Sequence, residues 1–175
     1  PRPEPETQRV HVGVRADAGV AEQVPGAAQV LPALQDRKAL RRATVLQMPG
    51  RADPGNAGAN RFRSSVEKSI GDLGGPVDLL LIHWPPPDEE VDATVDRLAE
   101  AHAAGLARNI GISNFPTRLM RRAAARSPVK LINNQVEFHP LIDQSAVLAE
   151  ARSLGMTLSA YCPLGRGAVM KDAVV

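Results

Sequence analysis

The pattern of apolar and polar positions changes near residue 60 of this chain. From Arg61 onward, apolar residues recur either at helical spacing or in short continuous runs. In RFRSSVEKSIGDLGG (61–75) they recur every three or four positions, and two glycines end the predicted helix. Runs of strand length follow at VDLLLIH (77–83), RNIGIS (108–113), KLINNQVEF (130–138) and MTLSAYCPL (156–164). Helical patterns over 88–105, 116–127 and 143–155 separate each strand from the next.

This repetition of strand and helix predicts an α/β fold with a parallel sheet and right-handed crossovers. The strand runs read as apolar on both faces, which is typical of parallel sheets covered on both sides. The G-x-G-x-x-G motif of the doubly wound dinucleotide-binding fold is absent from the sequence. We therefore predict a partial (β/α)8 TIM barrel of about four central βα units. A whole barrel takes about 250 residues, and this chain has 175.

The first third of the chain carries a weaker pattern. Residues 1–61 contain no Phe, Trp, Tyr or Ile, and Pro, Gly and Arg interrupt their apolar positions. HVGVRAD (11–17) alternates like a short strand, AAQVLPALQDRKALRR (27–42) has a helical pattern, and RADPGNAGAN (51–60) has the composition of a loop. We predict two regions, a poorly structured, irregular segment over 1–59 and a barrel domain over 60–175.

Composition and charge narrow the class of protein. Apolar residues make up 43% of the chain and charged residues 23%, as in ordinary globular domains. The net charge of +2 comes without a cluster of basic and aromatic residues, so we expect no nucleic-acid partner. No apolar run approaches the ~20 residues of a membrane helix. The single cysteine excludes an intrachain disulfide, and PRPEPETQRV does not resemble a signal peptide. We predict a cytoplasmic protein.

Polar side chains gather where the predicted strands end. His83 and Trp84 end the first strong strand, and three prolines follow them. Ser113 and Asn114 end the second, Gln135 lies near the end of the third, and Tyr161 and Cys162 end the fourth. Active sites of barrel enzymes lie at the carboxyl ends of the strands. One such residue would most simply bond to a neighbouring loop, but a set on four successive strands favours a ligand site.

Four motifs carry a resemblance to a known family. LIHWPP, NIGISNF, INNQVEFHP and SAYCPLG, in this order and spacing, resemble the aldo-keto reductases, and most closely the bacterial 2,5-diketo-gluconate reductase-like members. The resemblance runs from about Arg61 to the C-terminus and does not include the N-terminal third. It implies that NADP(H) binds across the barrel mouth and that a hydride passes to an aldehyde or ketone, a small-molecule carbonyl substrate. The sequence itself does not separate NADP from NAD.

The resemblance also implies roles for individual residues. His83 would be catalytic, holding the substrate carbonyl as a neutral imidazole donor. Trp84 would form a wall of the substrate pocket, although core filling is its simpler explanation. The remaining residues would hold the cofactor. Ser113, Asn114 and Gln135 would grip the nicotinamide carboxamide, Tyr161 would stack on its ring, and Cys162, Leu164, Gly165 and Gly167 would form the pyrophosphate loop. We predict no metal site.

The chain departs from the family at the proton donor. The family's aspartate, tyrosine and lysine precede the LIHWP strand, but Tyr161 is the only tyrosine here. Lys38, Asp17 and Asp36 have no matching neighbours, so none is assigned a role. An out-of-frame origin of residues 1 to about 60 would explain the sudden onset of the family pattern. We expect slow or absent carbonyl reduction, and self-association through open sheet edges.

Two alternatives stay open at this point. The first is an inactive fragment or pseudoenzyme with at most weak nucleotide binding. The second is a metal-dependent barrel hydrolase in which His83, Glu137 and His139 meet at one rim, since zinc sites of two histidines and one glutamate are known. The hydrolase leaves the four motifs unexplained.

Overall fold

A computed structural model describes residues 45–48 and 58–172 of the chain. In this part, five parallel strands form one sheet in the order of the sequence. The strands are β1 (Val45–Met48), β2 (Val77–Ile82), β3 (Ala107–Ser113), β4 (Leu131–Glu137) and β5 (Thr157–Tyr161). The helices are α1 (Gly58–Leu73), α2 (Val91–Ala103), α3 (Thr117–Arg126) and α4 (Ser145–Ser153). One helix separates each strand from the next, which confirms the predicted βα repetition of a partial barrel.

The strand β1 lies in the segment that the sequence pattern predicts to be irregular. It pairs with β2 from Val45 opposite Leu79 to Met48 opposite Ile82. Four residues are too few to show an alternation, and the Pro and Gly that follow favoured a loop. The helix α1 begins at Gly58, inside the predicted loop 51–60. The strand predicted over 11–17, the helix predicted over 27–42, and Asp17, Asp36 and Lys38 lie outside the described residues.

The core lies between the sheet and its helices. Leu80 and Ile82 of β2 and Ile110 and Ile112 of β3 have no exposed surface, and they belong to one cluster with the buried sides of α2 and α3. Burying a side chain of this size contributes about 1.5–3 kcal/mol relative to leaving it exposed. The apolar residues predicted to line one side of α1 are Phe62, Val66, Ile70 and Leu73. The first three are buried, and Leu73, at the helix end, is 37% exposed.

The other face of β4 and β5 is polar, so the expectation that the strands are apolar on both faces is wrong there. Side chains at alternate positions lie on one face of a strand, and the register aligns Asn133 with Thr157 and Gln135 with Ser159. The Asn133 amide donates to Thr157 Oγ1 at 2.9 Å and accepts from Ser159 Oγ at 2.9 Å. These hydrogen bonds satisfy the buried Asn133 in a strand that also buries apolar side chains at Leu131 and Val136.

A glycine allows β2, β3 and β4 to approach closely in front of this polar face. A Cβ atom at Gly111 would lie 2.6 Å from the carbonyl oxygen of Asn133 and 2.8 Å from Leu81 Cδ2. Both distances are shorter than nonbonded contact. The pairing of β3 with β4 also shifts register between Ile110 and Ile112. Gly111 therefore fixes the spacing of the strands whose ends carry Ser113 and Gln135.

The outer surface carries a regular set of ion pairs. They join α3 to α2 and to the short turn of helix that precedes α2. The partners are Asp88 with Arg118 at 2.6 Å, Asp92 with Arg122 at 2.7 Å, and Asp96 with Arg126 at 2.5 Å. Both sets of residues recur every four positions, which places them along one face of each helix. Arg121 extends the contacts to Glu150 of α4. In the described ranges, none of the helices has both the length and the apolar character needed to cross a bilayer.

Candidate active site

His83 follows β2 directly, at the rim where the described strands end. Its backbone carbonyl accepts a hydrogen bond from Asn114 Nδ2 at 2.9 Å, and its side chain is half-buried. Burial lowers the pKa of the His83 imidazole below its ordinary value. The imidazole is therefore neutral near pH 7, and one ring nitrogen carries a proton that a carbonyl oxygen can accept.

Trp84 lies beside His83, with ring centroids 6.1 Å apart and planes inclined at 49°. It is 54% exposed, which excludes the core-filling explanation. An apolar side chain of this size at a rim offers a surface for an apolar part of a ligand. Leu164, on the same rim after β5, is 55% exposed and offers a similar surface.

Asn114 joins three strand ends. Its backbone is left-handed, with φ of 62°, a conformation that asparagine adopts more readily than most residues. Its Nδ2 donates to the carbonyl of His83 at 2.9 Å and lies 3.2 Å from Ser113 Oγ. Its Oδ1 accepts from the Tyr161 hydroxyl at 2.8 Å, and its backbone N–H donates to the Gln135 carbonyl at 2.9 Å. We call these contacts the Asn114 clamp.

Ser113 and Gln135 lie beneath the clamp, where they are 1% and 3% exposed. Ser113 Oγ donates to the Gln135 carbonyl at 2.7 Å. A hydroxyl donates once and can accept twice, so Ser113 keeps acceptor capacity towards the rim after meeting Gln135 and Asn114. The Asn114 amide and the Ser113 hydroxyl therefore stand together with their protons already donated, and their oxygens keep acceptor capacity for the N–H of a ligand.

Tyr161 closes the clamp from the end of β5. Burial is the main cause that raises the pKa of its phenol, and the negative charge of Glu137 adds to it. The phenol is therefore protonated at neutral pH and donates to Asn114. The Tyr161 carbonyl accepts from the N–H of Phe138 at 3.3 Å, which ties β5 to the exit of β4.

The segment Cys162–Gly167 follows Tyr161 and is called the rim loop below. It has φ of 49° at Cys162, 55° at Gly165, 53° at Arg166 and 90° at Gly167. Two hydrogen bonds close its turns, from Gly165 N–H to the Cys162 carbonyl at 2.8 Å and from Gly167 N–H to the Leu164 carbonyl at 2.9 Å. Glycine fits these left-handed positions at little cost, and it lets a ligand approach the backbone closely.

Arg166 adds a permanent positive charge to this loop, and the sequence analysis missed it. A hydrogen bond to the Cys162 side chain is the largest cause that raises the pKa of the Arg166 guanidinium. The signal was present in the sequence, because an arginine between two glycines stands in a loop that the resemblance connects with pyrophosphate. A guanidinium matches phosphate oxygens in both charge and geometry.

Comparison with known proteins decides the family. The chain matches the family model of the Aldo/keto reductase family over residues 28–174. It belongs to the aldo/keto reductase family. Methylglyoxal reductase DkgB of Escherichia coli O157:H7 is 41% identical over 124 residues, which are 69% of this chain and 46% of that protein.

Solved structures of aldo/keto reductases show the same fold. A putative 2,5-diketo-D-gluconic acid reductase B has a TM-score of 0.68 at 37% identity, over 85% of this chain and 50% of that one. The Bombyx mori aldo-keto reductase AKR2E4, in complex with NADP, has a TM-score of 0.58 at 26% identity, over 78% of this chain and 45% of that one. The chain thus spans about half the length of these relatives.

The family match confirms the predicted membership and also extends it upstream. The four motifs placed its onset near Arg61, whereas the match begins at residue 28 and includes β1. The expectation that the N-terminal third lies outside the resemblance is therefore wrong for residues 28–60. The division of the chain into two regions at residue 60 stays a prediction, as does an out-of-frame origin of the segment before it.

Glu137 and His139, which the hydrolase alternative required together with His83, pair with each other. His139 Nε2 lies 3.4 Å from Glu137 Oε1. Within residues 45–48 and 58–172, no three His, Cys, Asp or Glu side chains lie where they would share a metal ion. Glu137 lies opposite Tyr161 in the register of β4 and β5, and its negative charge helps to raise the pKa of the Tyr161 phenol.

Proposed function

We propose that this chain binds NADP(H) at the rim and serves NAD(P)H-dependent reduction of an aldehyde or ketone, the activity that its family resemblance implies. The observation that carries the proposal is the Asn114 clamp, which brings His83, Ser113, Gln135 and Tyr161 to one rim through hydrogen bonds. Four separate strands supply these groups. Loop packing alone does not require a protonated phenol, an amide and a hydroxyl to meet beside the residue that carries a neutral imidazole.

The residues fit the cofactor. The amide N–H groups of a carboxamide need acceptors, which the Asn114 and Ser113 oxygens provide, and the Tyr161 ring suits stacking on a planar heterocycle. Arg166 and the glycines of the rim loop suit a pyrophosphate. When bound, NADPH supplies the hydride for carbonyl reduction. The AKR2E4 structure in complex with NADP supports NADP(H) as the cofactor class.

His83 would hold the substrate carbonyl. Its neutral imidazole donates a proton in a hydrogen bond to the carbonyl oxygen, which stabilises the negative charge that develops there. Trp84, exposed beside it, would contact the rest of the substrate. Relatives named methylglyoxal reductase and 2,5-diketo-D-gluconic acid reductase support a small dicarbonyl compound as the substrate class.

The lack of a free tyrosine as proton donor limits the expected rate of carbonyl reduction. Tyr161 is the only tyrosine of the chain, and its hydroxyl is engaged with Asn114. By resemblance, the family's lysine ends a strand before β2, but β1 ends at Met48. General acid catalysis contributes about 10²–10⁴-fold, so we expect turnover to be lower by about this factor. This observation favours a second candidate function, nucleotide binding without turnover.

The experiment is a titration of the full chain with NADPH, followed by its fluorescence, and a steady-state assay of NADPH oxidation with methylglyoxal. We expect saturable binding, and turnover far below that of a reductase with a tyrosine donor. Gly71→Ala is the matched control, because Gly71 lies on the exposed side of α1 and no atom lies near its Cβ position. Absence of saturable binding in wild type and control would overturn the proposal, and binding with no oxidation at all would select the second candidate.

Two further expectations stay predictions. Within the described residues, β1 and β5 are the edges of the sheet, and open parallel edges pair with other chains. Sedimentation of the full chain as a compact, cooperative monomer would contradict the expected self-association. The cytoplasmic location predicted from composition is to be tested by fractionation of cells that express the chain.

A further inference from the structure

His139 packs against the rim loop although it belongs to the exit of β4. A Cβ atom placed on Gly165 would lie 3.6 Å from both Cε1 and Cγ of the His139 ring. Both atoms are bonded to Nδ1, and Nδ1 is no nearer to the added Cβ than they are, so Gly165 faces the plane of the ring and not its Nδ1 edge. The His139 side chain is 11% exposed, which means that the loop and the strand exit cover most of it.

Two polar contacts fix the orientation of this ring. The N–H of Leu141 donates to His139 Nδ1 at 3.3 Å, so Nδ1 carries no proton. The other ring nitrogen, Nε2, lies 3.4 Å from Glu137 Oε1. The imidazole is therefore held at both nitrogens, and its face is free to support the loop.

The residue that His139 contacts, Gly165, lies at a turn of the rim loop. Gly165 has φ of 55°, and its N–H and that of Gly167 make the two turn-closing hydrogen bonds. Val169 contacts the same side of Gly165, since its Cγ2 would lie 3.3 Å from the added Cβ atom. Gly165 is thus enclosed by His139 and Val169, and a change in either changes the path of the loop.

We propose that His139 is a positioning residue that holds the rim loop in the shape required for the cofactor pyrophosphate. This inference rests on the proposed function, because it takes the rim loop as the pyrophosphate site. His139 acts through Gly165 and makes no contact with the cofactor. The ring face carries the support, and Leu141 and Glu137 orient it.

The test compares two ligands and three variants of the full chain. NADPH contains the pyrophosphate, whereas reduced nicotinamide mononucleotide has the nicotinamide and a single phosphate. We expect His139→Ala to weaken NADPH binding about tenfold and to leave mononucleotide binding unchanged. We expect His139→Phe, which keeps a planar face, to stay within about threefold of wild type for NADPH. His102→Asn is the control, because His102 bonds the Ala107 carbonyl at the opposite end of the sheet.

A second measurement separates this inference from the proposed function. Hydrogen exchange of the Gly165 and Gly167 amides should accelerate in His139→Ala and stay slow in His139→Phe and His102→Asn. Equal exchange in wild type and His139→Ala overturns the positioning role, and so does a parallel loss of both ligands or an Ala-like result for Phe. If wild type binds no NADPH, the proposed function fails, and the exchange rates still decide the role of His139.

Discussion

Substitutions at Asn114 should lower the unfolding free energy, because this residue combines a left-handed backbone with contacts to three other strand ends. Asn114→Ala removes the hydrogen bonds to His83 and Tyr161 and places an alanine at φ of 62°. Asn114→Gly removes the same hydrogen bonds but accepts the left-handed backbone. Asn114→Asp keeps the acceptor for Tyr161 and loses the donor to His83. The three variants therefore separate the backbone from the two ends of the side chain.

The magnitudes follow from these contacts. Each lost hydrogen bond costs about 0.5–1.5 kcal/mol of unfolding free energy, and a left-handed alanine costs about 1–2 kcal/mol. We expect Asn114→Ala to lose about 3 kcal/mol in total. Asn114→Gly should be more stable than Asn114→Ala by about 0.5–1 kcal/mol, because the flexibility of glycine in the unfolded chain offsets part of the relief.

The assay is equilibrium unfolding in urea, followed by the fluorescence of Trp84 and by circular dichroism. Trp84 is the single tryptophan and lies next to His83, whose carbonyl the clamp holds, so its signal reports the rim. Circular dichroism reports the helices, and coincident transitions allow a two-state analysis. A loss below about 1 kcal/mol for both Ala and Gly would refute the reasoning. Equal losses for the two would show that the relief of the left-handed backbone is no larger than the entropy cost of glycine.

Three further predictions concern the sheet, the rim and the outer surface. Gly111→Ala should lower the unfolding free energy by about 1–3 kcal/mol through overpacking, whereas Gly71→Ala should raise it by about 0.5–1 kcal/mol; urea unfolding that shows the same sign for both contradicts the contact geometry. The lowered pKa of His83 means that the unfolded chain binds more protons below about pH 6.5, so stability should fall as the pH drops from there through the folded pKa. His83→Asn should remove this pH dependence from the unfolding midpoints. If the pH dependence persists in the variant, another group causes it. The Arg122 hydrogen bond lowers the pKa of Asp92, so its stabilisation is present above the ordinary carboxyl pKa and is lost as the pH falls through the folded value. Arg122→Gln should raise the Asp92 pKa in a carboxyl NMR titration, and no change there would show that the pair is not formed in solution.

The repeating part of the fold was predictable because each element contains its own signal. The apolar runs of β2 to β5 and the glycines after α1 and α2 gave the element order and most bounds within two residues. The strand β1 gave no such signal, because VLQM is short and lies among Ala, Arg, Pro and Gly. Its pairing with β2 depends on contacts distant in sequence, which no local pattern contains.

The proximity of the candidate site residues was predictable from the sequence, whereas their contacts were not. Strand ends placed His83, Asn114, Gln135 and Tyr161 at one rim, as the structure shows. The sequence did not predict that Asn114 would be left-handed or that the Tyr161 hydroxyl would bond it, because both depend on the register of neighbouring strands. The face of His139 against Gly165 was hidden for the same reason, since β4 and the rim loop meet only after folding.

The pairs Asp88–Arg118, Asp92–Arg122 and Asp96–Arg126 connect residues that are 30 positions apart in every case. Charges repeated at this interval align one strand-and-helix unit with the next along the outer helices. Exchanging acid and base within all three pairs would keep each attraction while changing which neighbouring segment the helix accepts. The outer charges can thus favour the native order of neighbouring strand-and-helix units independently of the residues at the rim.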